Sequence, residues 1–373
     1  MTSTQNILSR IICLILLTIF LPASLKAQFY VTGDDPGRAK WNIMDTDHFS
    51  LIYPEGTDSL AREYGYKLEK FRIPVSRTTG YLHEGRMPVV LHAYNAANGS
   101  VAWAPKRMDL FPIPSPYAPE AMPWSTMLSV HEGRHVTQMQ FGMTKAQKPI
   151  GWFFGEMWNI LASLVYPGLS NIEGDAVIAE TALTNSGRGR TADFLNYYRV
   201  AFDNGDFRRW DQWRLGSQRR YAPDHYALGY LTIGGFRYMH DCPQFMKEGY
   251  ELSARRPYNL AAFYTTTKKL TGKKFEAAFQ EVSRTMHGIW KAEADARAPF
   301  IPMEPVTEDP RLYADYKGLA FLGDELYSIK SGHETSPVLV RIGEDGKEKV
   351  ISRFAYQTSR LKASEVQGRL YWS

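Results

Sequence analysis

The chain has 373 residues, of which 44% are hydrophobic and 22% are charged, and its formal net charge is +5. This composition is ordinary for a globular protein, and the length is sufficient for two domains with sizeable cores. Lysine and arginine are scattered, with only short pairs at Arg208-Arg209 and Arg219-Arg220. Because no basic stripe is present, the sequence does not indicate nucleic-acid binding.

Residues 1–27 have the pattern of a cleaved signal peptide. Arg10 precedes an apolar stretch, residues 11–21, and a small residue ends the segment. The apolar stretch is too short to predict a membrane span, so we expect an exported protein (periplasmic, outer-membrane-associated or secreted) and not an integral membrane protein. One of the two cysteines lies in this segment, which leaves Cys242 alone in the mature chain and excludes an intramolecular disulfide.

Residues 28–120 are predicted to be rich in strands. His48–Tyr53 alternates apolar and polar residues, and Met87–Ala93 reads as a buried strand. Between them, Ser59–Phe71 has helical character. We therefore expect a sheet with a helical connection in this part of the chain.

Residues 121–298 are predicted to be mostly helical, and they contain the most informative motif of the chain. His131-Glu132-Gly133-Arg134-His135 spells H-E-x-x-H. Pro123 supplies a helix start, and no proline interrupts Trp124–Gly142. We therefore place the motif on a helix.

This spacing predicts a metal site. Two histidines four residues apart lie one above the other on a helix face, so both imidazoles can bind one ion, and imidazole ligands favour Zn²⁺ over Ca²⁺. Glu132 lies beside the first histidine and can act as a general base toward a water on that metal. The alternative is a buried hydrogen-bonded network of the histidines with Glu132 and Arg134, since so short a motif also arises by chance.

A third ligand must come from another segment, and Asn171–Val177 reads as the start of a second helix. The stretch Glu173–Ala176 resembles the Glu-Gly-x-Ala setting of the third ligand in the aminopeptidase branch of the gluzincins, the zinc peptidases that include thermolysin. The longer run Glu173–Arg190 resembles secreted bacterial gluzincin-like proteins, and the resemblance extends over roughly residues 40–300.

The resemblance implies that His131, His135 and Glu173 hold zinc. It departs in one respect, because 37 residues separate His135 from Glu173. The usual gap is about twenty residues, which Glu156 would fit better. Glu173 is preferred because Ile150–Tyr166 reads as an extra apolar helix, and an inserted helix lengthens the gap without moving the ligand.

The resemblance also implies residues that support the site. A metal-bound histidine usually donates its other N–H to a carboxylate or carbonyl. Thermolysin-like enzymes have an aspartate four residues after the ligand glutamate, where this chain has Val177. Asp175 and Glu180 are therefore the candidates for this supporting role, with a capping or solvated carboxylate as the alternative.

Two further gluzincin features have candidates. Zinc peptidases commonly use a downstream tyrosine or histidine to stabilise the oxyanion, and His225, Tyr226 and Tyr230 are the candidates, with core packing as the alternative. Gluzincin-like enzymes also carry an edge strand that pairs with the substrate backbone. Residues 99–105 are the candidate, with an ordinary hairpin strand as the alternative.

The C-terminal segment differs in kind. Residues 299–312 are rich in proline and read as a linker, and residues 313–373 read as short strands. Leu326-Tyr327 returns as Leu370-Tyr371, 44 residues later. A period of this length with four short strands is typical of a β-propeller blade, so we expect incomplete blades here and a longer natural protein.

The sequence thus predicts an α+β fold: a zincin-like domain over residues 28–298, with a mixed N-terminal sheet and a helical remainder, followed by the start of a propeller. The predicted function is zinc-dependent peptide hydrolysis, with endopeptidase activity favoured because no acidic motif for binding a substrate N-terminus stands out. A zinc hydrolase of a non-peptide bond is not excluded. The alternative is a catalytically silent binding protein at the cell envelope, whose propeller contacts a protein partner.

Overall fold

The computed structural model describes residues 35–114, 122–308, 310–354 and 360–372, and the predicted signal peptide lies outside them. The described residues form a mixed α+β structure with a helical part and separate sheets. The strands are β1 (Trp41–Asp45), β2 (Phe49–Pro54), β3 (Met87–Leu91), β4 (Ser100–Ala102), β5 (Arg107–Leu110), β6 (Ala314–Leu322), β7 (Glu325–Gly332), β8 (Val338–Ile342), β9 (Glu348–Arg353), β10 (Leu361–Ser364) and β11 (Arg369–Trp372). The α-helices are α1 (Asp58–Ser76), α2 (Trp124–Gln138), α3 (Lys148–Phe154), α4 (Met157–Val165), α5 (Leu169–Leu183), α6 (Asn196–Asp203), α7 (Trp210–Leu215), α8 (His225–Met239), α9 (Phe245–Arg255), α10 (Ala262–Thr271) and α11 (Phe275–Asp295).

The N-terminal sheet has the strand order β1-β2-β3-β5-β4. Its three central strands are parallel, while β1 and β4 run antiparallel to their neighbours. Helix α1 provides the crossover that the parallel pair β2 and β3 requires. The alternation predicted for β2 is confirmed, because Phe49, Leu51 and Tyr53 are buried in a core shared with α1 and α2.

Helix α2 lies between this sheet and the helical part of the molecule. Leu128 and Val136 belong to the sheet core, whereas Val130 packs with residues of α1 and α5. A second, larger core occupies the helical part and includes side chains of α8 and α11. The motif-bearing helix is therefore covered on several sides, and this burial fixes the position of its side chains.

The prediction of one continuous helix over Ile150–Tyr166 is wrong. The segment forms two helices, α3 and α4, separated by a turn at Gly155. Gly155 has a φ of +64°, a left-handed conformation that glycine adopts without strain and that ends α3. An apolar pattern alone does not reveal such a break.

The C-terminal strands form two sheets. Strands β6 to β9 pair antiparallel in chain order, and β10 pairs with β11. A four-stranded antiparallel sheet is the unit of a propeller blade, but closure into a propeller stays a prediction. Residues 296–313, apart from residue 309, contain no helix or strand, and their role as a linker stays a prediction.

The sequence also predicts that no segment of the mature chain spans a membrane and that Cys242 is its one cysteine. Within the described ranges, no helix is long and apolar enough to cross a membrane. Cys242 is buried, and its thiol donates a hydrogen bond to the Phe236 carbonyl oxygen at 3.2 Å.

A histidine between two carboxylates supports the sheet. His92, one residue beyond β3, has Nδ1 2.6 Å from Asp35 and Nε2 3.2 Å from Asp109. Burial alone would lower the pKa of His92, but hydrogen bonds to Asp109 and Asp35 raise it above its usual value. The protonated ring therefore stabilises the fold fully below about pH 6.5, the unfolded value, and this contribution is lost as the pH rises through the higher folded pKa.

We predict that His92→Asn removes this pH dependence. Urea unfolding at pH 6 and pH 9 should show a larger loss of stability in the variant at pH 6 than at pH 9. An equal loss at both pH values would contradict the assignment of a proton to this ring.

Candidate metal centre

Helix α2 carries the motif, as the sequence predicted, and buries its four polar side chains, those of His131, Glu132, Arg134 and His135. His131 and His135 are each 5% exposed, and Glu132 is 3% exposed. Burying three titratable groups is costly unless each has a partner or a bound ion. The contacts of these groups therefore decide between a metal site and a purely structural network.

The two imidazoles meet the carboxylate of Glu173, which α5 carries. Oε2 of Glu173 lies 3.1 Å from Nε2 of His131 and 3.1 Å from Nε2 of His135, and the two nitrogens are 3.0 Å apart. Ligands about 2.0–2.1 Å from a tetrahedral zinc ion would be roughly 3.3 Å from one another. The three atoms thus have nearly the spacing that one zinc ion requires.

Glu156, the alternative third ligand, lies elsewhere. It precedes α4, and its carboxylate accepts a hydrogen bond from the Lys106 backbone N–H at 2.8 Å. Within the described ranges, His131, His135 and Glu173 form the group of His, Cys, Asp and Glu side chains whose ligand atoms lie close enough to hold a metal. The observed geometry therefore favours Glu173 over Glu156.

A close helix crossing explains why glycine follows Glu173. A Cβ on Gly174 would lie 2.0 Å from the carbonyl carbon of Gly229 in α8, and a Cβ on Gly229 would lie 1.6 Å from the Ser170 carbonyl oxygen. The backbones of α5 and α8 touch at this crossing, and neither position therefore has room for a side chain. This contact brings Tyr226, one turn before Gly229, toward the metal ligands.

The charges around the three ligands are arranged for a cation. Burial would raise the pKa of Glu173, but His135 and His131 hold it far below its usual value. Burial would lower the pKa of His131, but the Glu173 and Glu180 carboxylates raise it to about 9. Positive charge is therefore favoured at the point where the three ligand atoms meet, and a metal ion would provide it.

Glu132 has no ion-pair partner within 4.0 Å among the residues that the structure describes. Burial raises the pKa of its carboxyl, and Oε2 is buried with no hydrogen-bond partner among the described residues. Arg134, its neighbour in the motif, pairs with Asp175 instead. A buried carboxylate oxygen without a hydrogen-bond partner, close to three ligand atoms, is available to accept a hydrogen bond or a proton from water or substrate, as a general base must.

Glu180 supports the first histidine directly. Nδ1 of His131 lies 2.7 Å from Oε1 of Glu180, so the imidazole N–H donates to a carboxylate and Nε2 is left for the metal. Arg188 donates to both oxygens of Glu180, at 2.5 and 3.1 Å. The same guanidinium lies 4.8 Å from the centre of the Tyr226 ring.

Asp175 supports the second histidine through an amide. Nδ1 of His135 lies 2.7 Å from Oε1 of Gln138, whose Nε2 donates to Asp175 at 2.8 Å. Asp175 is fully buried and also accepts from Arg134, at 2.8 and 3.0 Å, and from Arg237 at 2.7 Å. Asp175, a candidate for a supporting role, is thus linked to His135 through Gln138 and makes no direct contact with that ring among the described hydrogen bonds.

Sequence reasoning missed two of these residues. Gln138 is three residues after His135 and so faces the same side of α2, a spacing that could have identified it. Arg188 lies beyond the third-ligand helix, and its approach to Glu180 depends on the chain turning back after α5. No local pattern in the sequence indicates that turn.

The three candidates for oxyanion stabilisation are separated by the structure. Tyr226 lines the cavity beside Glu132, and its ring centre lies 6.0 Å from that of His131. Tyr230 faces away, against Phe194 and a second apolar cavity. His225 stacks against Tyr226 with ring centres 4.5 Å apart. Tyr226 is therefore the candidate that the geometry favours.

His131, one of the three candidate ligands, lies at the wall of an open cavity of about 670 Å³. Its lining includes Gly99, Glu132, Tyr226 and, from the C-terminal sheet, Lys317. Gly99 lies close to Glu132, because a Cβ on Gly99 would be 2.8 Å from Cγ of Glu132. The candidate edge strand is β4, which pairs with β5 at the end of the sheet, so one side of β4 faces outward from the sheet.

We predict that Glu180→Gln weakens zinc binding about 10- to 100-fold, because the variant removes the negative charge that makes His131 a better ligand. Competition with a chromophoric chelator measures this affinity. Glu156→Gln is the matched control and should bind zinc like the wild type. An unchanged zinc affinity in Glu180→Gln would show that the Glu180 carboxylate pairs with Arg188 but does not affect zinc binding by His131.

Comparison with known proteins gives no assignment for this site: no protein-family model matches the chain, and no curated protein matches it.

Proposed function

We propose that the chain is an exported, zinc-dependent peptide hydrolase with a zincin-like fold of the gluzincin type. The observation that carries this proposal is the convergence of three ligand atoms in one cluster. One of these ligands, His131, lines an open cavity together with Glu132, whose Oε2 is buried without a hydrogen-bond partner among the described residues. Two imidazoles and one carboxylate are the ligand set of many catalytic zinc sites, which keep a fourth position open.

His131, His135 and Glu173 would hold the ion. Bound zinc supplies Lewis acidity toward a carbonyl oxygen and lowers the pKa of water to about 7. Glu180 and Gln138 fix the orientation of the two imidazoles so that both Nε2 atoms face the same point. The ligands are thereby positioned before substrate binds, which reduces the reorganisation that the reaction requires.

Glu132 acts as the general base and then as the general acid. Its Oε2 accepts the proton of the attacking water and later donates it to the leaving amine of the peptide. The raised pKa of this buried carboxyl brings it closer to neutrality, which suits a group that must both take and return a proton.

The remaining groups bind the peptide. Burial raises the pKa of Tyr226, so its hydroxyl stays protonated and can donate a hydrogen bond to the oxyanion. Strand β4 offers its outer edge to an extended substrate, which would add a strand to the sheet. The C-terminal sheets are proposed to begin a propeller, from which Lys317 reaches the same cavity.

A metal-removal experiment tests this function. The purified chain without residues 1–27 should cleave members of a quenched-fluorescence peptide library. Treatment with a chelator should abolish cleavage, and Zn²⁺ should restore it while Ca²⁺ should not, because two ligands are imidazoles. Stoichiometric zinc without cleavage of any peptide would contradict peptidase activity.

A further inference from the structure

Helices α3 and α4, which lie between the two halves of the metal site in sequence, carry an outward-facing apolar surface. We define this apolar face by its six main side chains: Trp152, Phe153, Phe154, Met157, Leu161 and Leu164. Trp152 is 84% exposed and the other five are between 41% and 58% exposed. Isolated exposed apolar residues are normal, but consecutive ones on adjoining helices mark a contact surface.

The polarity of α4 is the reverse of that expected in water. Met157, Leu161 and Leu164 are spaced i, i+4 and i+7, so they form one side of the helix, and that side is exposed. Asn159 and Ser163 are turned inward and are 1% and 2% exposed. A helix in contact with water places its polar residues outside, so the medium that this side meets is apolar.

The charge of the segment indicates what that medium is. Between residues 139 and 169 the sequence contains one acidic residue, Glu156. Its carboxylate already accepts a hydrogen bond from the Lys106 backbone N–H. The cations are Lys145, which pairs with Glu251, and the exposed Lys148. Lys148 precedes Trp152 by four residues on α3 and so lies on the same side of that helix.

We propose that the apolar face docks onto an anionic lipid surface. Aromatic side chains beside a lysine match the boundary between acyl chains and negatively charged headgroups. In a symmetric contact of this segment with itself, a second copy would present the same lysine and, between residues 139 and 169, Glu156 as its carboxylate, which is already hydrogen-bonded.

Vesicle sedimentation tests the proposal on the chain without residues 1–27. Vesicles of phosphatidylcholine with about one third phosphatidylglycerol should bind the wild type, and Trp152→Ser/Phe153→Ser should weaken binding about tenfold or more. Lys148→Glu should weaken it several-fold. Leu215→Ser changes a residue that is 77% exposed on α7 and should bind like the wild type.

Fluorescence quenching distinguishes insertion of the apolar face into the bilayer from nonspecific adsorption to vesicles. Brominated lipids should quench Trp152 emission, and Trp152→Phe should lose that quenched component while it still binds. Equal vesicle binding by the wild type and the double variant would overturn the proposal, as would a wild-type dimer that the double variant disrupts without any vesicle binding. Glu132→Gln should bind vesicles normally, so this test is independent of hydrolytic activity.

Discussion

Glu132→Gln should reduce peptide cleavage by about a thousandfold or more, because an amide cannot accept the proton of the attacking water. The substitution keeps the size of a buried side chain and lies outside the three ligands, so zinc content and thermal stability should stay close to those of the wild type. Initial rates on one cleavable peptide, together with metal analysis of the same samples, measure both effects.

Glu156→Gln provides the matched control for this substitution. Glu156 is a glutamate of the same region whose one described hydrogen bond, from Lys106, lies apart from the ligand cluster. Its variant should retain wild-type activity. Comparable cleavage by Glu132→Gln and the wild type would refute the role of Glu132 as the base, even if zinc were bound.

Asp175→Asn should cost about 3–5 kcal/mol in the free energy of unfolding, because it leaves the buried guanidinium groups of Arg134 and Arg237 without a counter-charge. Burial would raise the pKa of Asp175, but Arg134 and Arg237 hold it below its usual value. The contribution of Asp175 is therefore present above about pH 3.8, the unfolded value, and is lost as the pH falls through the lower folded pKa.

Urea unfolding at pH 7 measures this loss. Asp211→Asn removes an exposed partner of Arg209 and should leave stability unchanged, since exposed ion pairs contribute little. If Asp175→Asn were as stable as the wild type, the two arginines would have to be solvated in the folded protein. Zinc binding should also weaken in this variant, because Gln138 loses the partner that holds it against His135.

The two histidines among the candidate metal ligands are the most predictable part of the site. Helical geometry alone places His131 and His135 on one face, and the structure shows the two ring nitrogens 3.0 Å apart. Glu173 depended on the setting of neighbouring residues, and the sequence gap by itself favoured Glu156. The physical reason for that setting, the contact of Gly174 with Gly229, involves two distant helices and is visible only in the fold.

Other features depended on tertiary contacts that no local pattern encodes. Tyr226 and Tyr230 are equivalent in the sequence, and the crossing of α5 and α8 places the first in the cavity and the second outside it. The sequence offers Asp175 as a supporting residue, but it does not indicate that Gln138 links Asp175 to His135. The apolar pattern of residues 150–166 predicts helical structure but reveals neither the break at Gly155 nor that Leu161 and Leu164 face outward.

The central claim is that Glu173 completes a zinc site with the two histidines. Its most direct test is the zinc stoichiometry of the purified wild type, Glu173→Gln and Glu156→Gln after dialysis against trace zinc. One equivalent in the wild type and in Glu156→Gln, with loss of tight binding in Glu173→Gln, is the predicted result. Full zinc retention by Glu173→Gln, or none in the wild type, would contradict the proposed centre.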